Sequence, residues 1–125
     1  MTPLIFLAIA VAGGVGAAAR FALDGFIGHK LQASFPWATF IINVSGSLAL
    51  GLLSAAAAGV FLPPEWSLIL GVGFLGGYTT FSSTSYETIR LLMDRRILAS
   101  LTNALGTLAA SVGAAALGYG LGSLL

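Results

Sequence analysis

Cysteine is absent from this sequence, which excludes disulfides, thiolate metal sites and cysteine nucleophiles. Charge is almost as scarce, at 7% of 125 residues against roughly a quarter in soluble proteins. The charged side chains are Arg20, Asp24, Lys30, Glu65, Glu87, Arg90, Asp94, Arg95 and Arg96, so residues 2–19, 31–64, 66–86 and 97–125 carry none. That leaves no basic domain for nucleic acid and no water-soluble enzyme body, and a formal net charge of +1 supplies no polybasic membrane anchor. Apolar length is what the chain has, with 58% of its residues hydrophobic. A bilayer core about 30 Å thick takes roughly 20 apolar residues per helix. The whole chain, 1–125, therefore reads as a single all-α transmembrane domain of four helices joined by tight connectors and surrounded by lipid.

The first apolar run has no Lys or Arg before it, so it lacks the basic region of a cleaved signal peptide and reads as a retained helix over about 4–23. Asp24 to Phe35 reads as a polar connector, with His29 a solvated loop residue. Ser34 is a candidate N-cap, with Pro36 in the first turn of a second helix over about 37–60. Pro63, Pro64 and Glu65 separate it from a third helix over about 66–93, which at 1.5 Å per residue is roughly 42 Å and longer than the membrane core. The middle of that helix reads Gly71, Gly73, Gly76, Gly77, Tyr78, Thr79, Thr80, and such glycine and hydroxyl clustering predicts a break near 76–80. Asp94, Arg95 and Arg96 form a turn into a fourth helix over about 97–121. Small residues recur at Gly13, Gly14, Gly16, Gly51, Gly113 and Gly118. In lipid they allow close helix approach, and for four short helices this predicts an oligomer more than packing within one chain.

Polar groups at membrane depth are expensive, so function is expected where they gather. Thr39, Asn43 and Ser47 recur every four residues and share a helix face. The third helix adds Thr79, Thr80, Ser82, Ser83, Thr84 and Ser85, and the fourth adds Asn103, Thr107 and Ser111 at the same spacing. Such hydroxyls commonly bond to their own helix, and asparagines commonly join helices. Three stripes together point instead to a wet path. The spans hold no Asp, Glu, Lys or His until their ends, so a proton relay lacks its carboxylate. Hydroxyls, amide groups, backbone N–H groups freed at a break, Arg20 at a membrane boundary and the positive ring edge of Phe81 favour a small, hard anion. Carbonyls freed at the same break offer a place for a structural cation.

These residues resemble the Fluc family of fluoride channels. The resemblance covers nearly the whole chain: Gly13 to Arg20 (GGVGAAAR) on the first helix, Thr39 to Gly51 (TFIINVSGSLALG) on the second, Gly76 to Ser82 (GGYTTFS) at the expected break, and Asn103 to Gly118 (NALGTLAASVGAAALG) on the fourth. It implies an antiparallel, dual-topology-type dimer with two passive, fluoride-selective pores. It implies a central sodium ion held by the main-chain carbonyls of Gly76 and Thr79 from both subunits. On the matching positions Asn43 lines the pore, Phe81 meets the ion edge-on and Arg20 stands near the vestibule, while Ser82, Thr107 and Glu87 match polar positions of the pore or its mouth. One departure is that the family's TTFSTF-like run reads TTFSST here, with Thr84 in place of a second phenylalanine. A hydroxyl there can still donate to fluoride. Asn103 replaces a tyrosine sometimes found on the family's fourth helix.

Lys30, Arg95 and Arg96 lie in connectors on one side of the membrane and the other side has no Lys or Arg, so the positive-inside rule places both termini outside. An antiparallel dimer of one chain requires insertion both ways, which this bias discourages, so the partner is either a second copy or a similar subunit of opposite orientation. Two rivals remain: a small proton-coupled multidrug exporter, which needs an embedded acid that the first helix lacks, and a structural subunit of a membrane complex, which leaves the polar stripes without a use.

Overall fold

The computed structural model describes residues 2–31, 35–59 and 62–124, and the regular elements among them are helices, with no strand. Among the described residues three helical runs are long and apolar enough to cross a membrane, Pro3–Lys30, Trp37–Ala58 and Ile97–Gly122.

Helix α1 spans Pro3–Leu31, eight residues beyond the expected end at Leu23. The supposed connector from Asp24 is therefore helical up to Leu31, and His29 is an exposed residue of the last helical turn rather than of a loop. The physical reason is that 24–31 contains no proline, and its polarity is that of an exposed helix continuing past the apolar stretch. His29 and Lys30 sit against the carbonyl end, where cations are favoured. One turn back, the Phe26 ring lies 5.7 Å from Lys30 Nζ, and Ile27 is buried.

Helix α2 spans Trp37–Ala58. Its N-cap position is held by Pro36, just outside the first turn and with no side-chain cap, while Ser34 lies outside the described residues. The third run starts at Pro64, two residues earlier than expected, because proline is preorganised for a first helical position and Glu65 suits the first turn. It comprises α3 (Pro64–Ser67), a π-helical stretch (Leu68–Leu75) and α4 (Gly76–Tyr78). Thr79 is extended at φ −80° and ψ 159°, and helical structure resumes as α5 over Ser82–Met93.

Asp94 to Arg96 close α5 with paired backbone bonds, Arg96 N–H to the Leu91 carbonyl at 2.9 Å and Arg95 N–H to the Leu92 carbonyl at 3.0 Å. Arg95 is left-handed at φ 61°, the conformation this helix-ending motif demands. The last run is α6 (Ile97–Leu101), a π-helical turn (Thr102–Gly106) and α7 (Thr107–Gly122).

α2 packs along α7, and α1 packs along the π-helical stretch and α4. Glycine makes both approaches possible within the chain. A Cβ on Gly51 would run into the Ala115 carbonyl and one on Gly118 into the Leu48 carbonyl; Gly16 and Gly77 likewise face the carbonyls of Phe74 and Gly13. These tight glycines serve packing inside the chain, the alternative that the sequence reading set beside an oligomer. Gly14 and Gly113 have no neighbour within 4 Å.

Candidate functional site

The site is built where α2 passes the gap between α4 and α5. Asn43 is 8% exposed, and its side chain engages three groups across that gap. Its Nδ2 donates to the Thr80 carbonyl at 2.8 Å and to Thr84 Oγ1 at 2.9 Å, and its Oδ1 accepts the Thr80 N–H at 2.8 Å. The amide thus replaces the helical partners of both backbone groups of Thr80. At about 1 kcal/mol net per hydrogen bond, and with the same groups costly if buried unpaired, this clip is a principal stabiliser of the non-helical segment.

Backbone accounting through the gap shows which carbonyls it releases. In an unbroken helix each N–H bonds the carbonyl four residues back. Thr80 N–H would serve Gly76 but goes to Asn43, and Ser83 N–H would serve Thr79 but goes to Thr80 Oγ1 at 3.1 Å. The carbonyls of Gly76 and Thr79 are thereby freed from those donors. Gly77 differs, because its carbonyl accepts from Arg20 Nε at 3.3 Å. Among the described residues no group of three His, Cys, Asp or Glu is placed to hold a metal ion, so neutral oxygens are the donor set a cation would meet here. Such oxygens suit a hard cation.

An open groove of about 360 Å³ lies beside the clip, between α2, α4 and α7. Asn43, Gly76, Thr79, Phe81, Thr84 and Thr107 all line it, so six of the residues expected from sequence are brought to one wall system. No charged side chain lines it. Thr107 and Ser111 line this groove, and their hydroxyls, like Asn103 Oδ1 behind it, are buried without a hydrogen-bond partner. Other hydroxyls do bond their own helix, as Thr79 at the same groove does to Leu75 O at 2.9 Å and Thr88 outside it to Thr84 O at 2.7 Å. The π-helical turn just before Thr107 changes the register in which a hydroxyl meets the carbonyl a turn back, and such turns recur at functional sites.

A second cavity of about 420 Å³ is lined by Thr39, Ser82 and Glu87 together with Asp24, Tyr86 and Arg90. Thr39 Oγ1 donates to Glu87 Oε1 at 2.7 Å, joining α2 to α5. These expected residues therefore form a charged chamber apart from the uncharged groove. Two others stand elsewhere. Asn103, expected on the path, is 0% exposed and lines neither cavity; its Nδ2 donates to Thr88 Oγ1 at 2.9 Å and it serves to hold the last run against α5. Arg20 also lines neither, being engaged with Gly77. Phe81 is 86% exposed, its ring projecting from the groove's open side.

Sequence reasoning placed Thr80 and Ser111 in the polar stripes without singling them out as site residues. Thr80 carries both backbone groups held by Asn43, and its hydroxyl ends the exposed start of α5. The one available signal was their membership of hydroxyl-rich stripes, which does not say which hydroxyl is left free.

The family model described as CrcB-like protein, Camphor Resistance (CrcB), matches residues 7–119. A fluoride-specific ion channel FluC 1 of Leifsonia xyli subsp. xyli is 53% identical over 124 residues, covering 99% of this chain and 90% of that protein. A fluoride-specific ion channel FluC of Thermus thermophilus is 40% identical over 120 residues, 96% of each chain. A fluoride-specific ion channel FluC 2 of Mycobacterium tuberculosis is 36% identical over 118 residues, 94% of this chain and 90% of that protein.

Proposed function

The chain belongs to the CrcB-like family, and from that premise we propose that it is a subunit of a fluoride-selective ion channel, a multi-pass protein of the plasma membrane through which cytoplasmic fluoride leaves passively. The observation that carries this reading is the uncharged groove with the unpartnered hydroxyls of Thr107 and Ser111. A buried donor without a partner is costly, so it is retained where something accepts from it. An ion that passes here exchanges water for hydroxyl and amide hydrogen bonds, which are stronger toward an anion than toward a neutral acceptor. No fixed positive charge lines the groove to trap the anion, as passage requires.

In this reading Asn43 and Thr84 present the amide and hydroxyl on one side, Thr107 and Ser111 the hydroxyls on the other, and the Phe81 ring edge completes the contact. Thr39, Ser82 and Glu87 form the mouth, and Asn103 supports the wall from behind. A groove open along one side, with Phe81 at its edge, closes when a second subunit covers it. This supports an antiparallel dimer, of the chain with itself or with a similar subunit of opposite orientation. We also place a sodium ion at the carbonyls of Gly76 and Thr79. Their diverted helical donors fit that role, and four such oxygens would come from two subunits. Sodium held there would supply positive charge between the two gaps. The interruption at 79–81 serves as the mid-membrane break of the third helix. A proton-coupled exporter is disfavoured because the groove holds no acid.

Fluoride efflux from reconstituted liposomes tests the reading. The protein is expected to pass fluoride and not chloride, with Asn43→Ala slowing efflux by roughly tenfold or more, the loss of one hydrogen bond to a charged group, and Phe81→Ile slowing it by roughly threefold or more, the loss of the ring-edge contact. Passage of both halides, or of neither, by the unaltered protein contradicts it.

A further inference from the structure

The geometry points to Arg20 as a positioning residue that takes over, at the Gly77 carbonyl, the place of the backbone N–H lost when the helix is interrupted. It rests on the channel reading for its transport readout alone. In a continuous helix the Gly77 carbonyl would accept from Phe81 N–H. Phe81 lies instead beyond the extended Thr79, and it is Arg20 Nε, from a helix 57 residues away in sequence, that donates to Gly77 at 3.3 Å. The neighbouring backbone is secured differently, Thr80 by the Asn43 amide and Ser83 by the Thr80 hydroxyl.

Two cross-helix side chains therefore hold the two sides of the gap, Asn43 from α2 on the α5 side and Arg20 from α1 on the α4 side. Close approach of α1 to α4 brings the arginine there: Gly77 sits against the Gly13 carbonyl so tightly that no Cβ would fit. The guanidinium also sets positive charge at the carbonyl end of α4, where it is favoured. Its donor engages the Gly77 carbonyl, which therefore has a side-chain donor where those of Gly76 and Thr79 have lost their helical ones.

Side-chain length separates this role from that of a charge that draws anions toward the pore. Glutamine places its Nε2 at the same number of bonds from the backbone as arginine Nε, without charge. Lysine keeps the charge but has carbon at that position. Arg20→Gln, Arg20→Lys and Arg20→Met are therefore compared by amide hydrogen exchange over residues 77–83 in sodium buffer and by fluoride efflux and fluoride-over-chloride selectivity in liposomes. Met is expected to raise exchange and lower efflux by about tenfold, the loss of one charge-assisted bond. Lys is expected to match Met, and Gln to restore both readouts to within about threefold of the unaltered protein.

If Lys restores them and Gln does not, charge is what matters and the proposal is overturned. It is equally overturned if all three variants match the unaltered protein or if all three lose both readouts together. Should Met fail to fold, the contrast of Gln with Lys still decides. Should the unaltered protein not conduct fluoride, the channel reading fails, while the exchange measurement still decides the role of Arg20.

Discussion

At the scale of single residues, the decisive fact is how the Asn43 amide is shared. Both of its N–H groups and its oxygen are engaged, with Thr84 Oγ1 as one acceptor. Thr84 itself donates to the Thr80 carbonyl at 3.2 Å, so in the proposed reading an arriving anion turns that hydroxyl or displaces it from the Asn43 amide. A hydroxyl can rotate and then donate to the anion, which a ring or a methyl cannot. Thr84→Val is accordingly expected to lower fluoride efflux by roughly tenfold while Thr84→Ser keeps it, as measured in liposomes under matched gradients. Equal rates in Val and Ser would remove Thr84 from the path. The stripe of Thr39, Asn43 and Ser47 was legible from its spacing of four. That Thr39 donates to Glu87, 48 residues away, was not, because a helical repeat reports which residues share a face and nothing about what that face meets.

At the scale of helices, glycine has two different uses that composition does not distinguish. Gly51 packs against the Ala115 backbone, whereas Gly25 in the extension of α1 has nothing within 4 Å of where a Cβ would go. Gly51→Ala is expected to destabilise by about 3 kcal/mol through overpacking of α2 on α7. Gly25→Ala is expected to stabilise by about 0.5 kcal/mol, since alanine restricts the unfolded chain and is compatible with helix. Thermal unfolding in detergent compares the two, and a loss of stability in Gly25→Ala would mean that 24–31 is not helical. The expected end of the first helix at Leu23 missed this extension because an apolar-run criterion marks where a helix leaves lipid rather than where its hydrogen-bond ladder stops.

At the scale of the whole molecule, the groove, open on one side with Phe81 exposed at its edge, is in the proposed reading one half of a passage. Covering it by a second subunit, with sodium between the two gaps, has a measurable consequence. The purified protein is expected to cross-link as a dimer in detergent, and replacing sodium by a large organic cation is expected to lower its melting temperature by several degrees, about 1–2 kcal/mol of lost binding stabilisation. A protein that conducts fluoride as a monomer, or that melts identically with and without sodium, would exclude this assembly.

The amino-acid sequence by itself determined that the chain is helical, crosses a membrane repeatedly and places uncharged polar groups in its interior, because hydropathy and residue type add up locally along the chain. Tertiary structure alone decided how those polar groups divide their hydrogen bonds. It turned Asn103 inward to Thr88, gave Arg20 to Gly77, engaged Asn43 with both sides of Thr80, and left Thr107 and Ser111 without partners. A hydrogen bond exists only where two groups meet within about 3 Å. Whether residues 37 or 57 positions apart meet at that distance is set by how whole helices pack, and no local pattern encodes it.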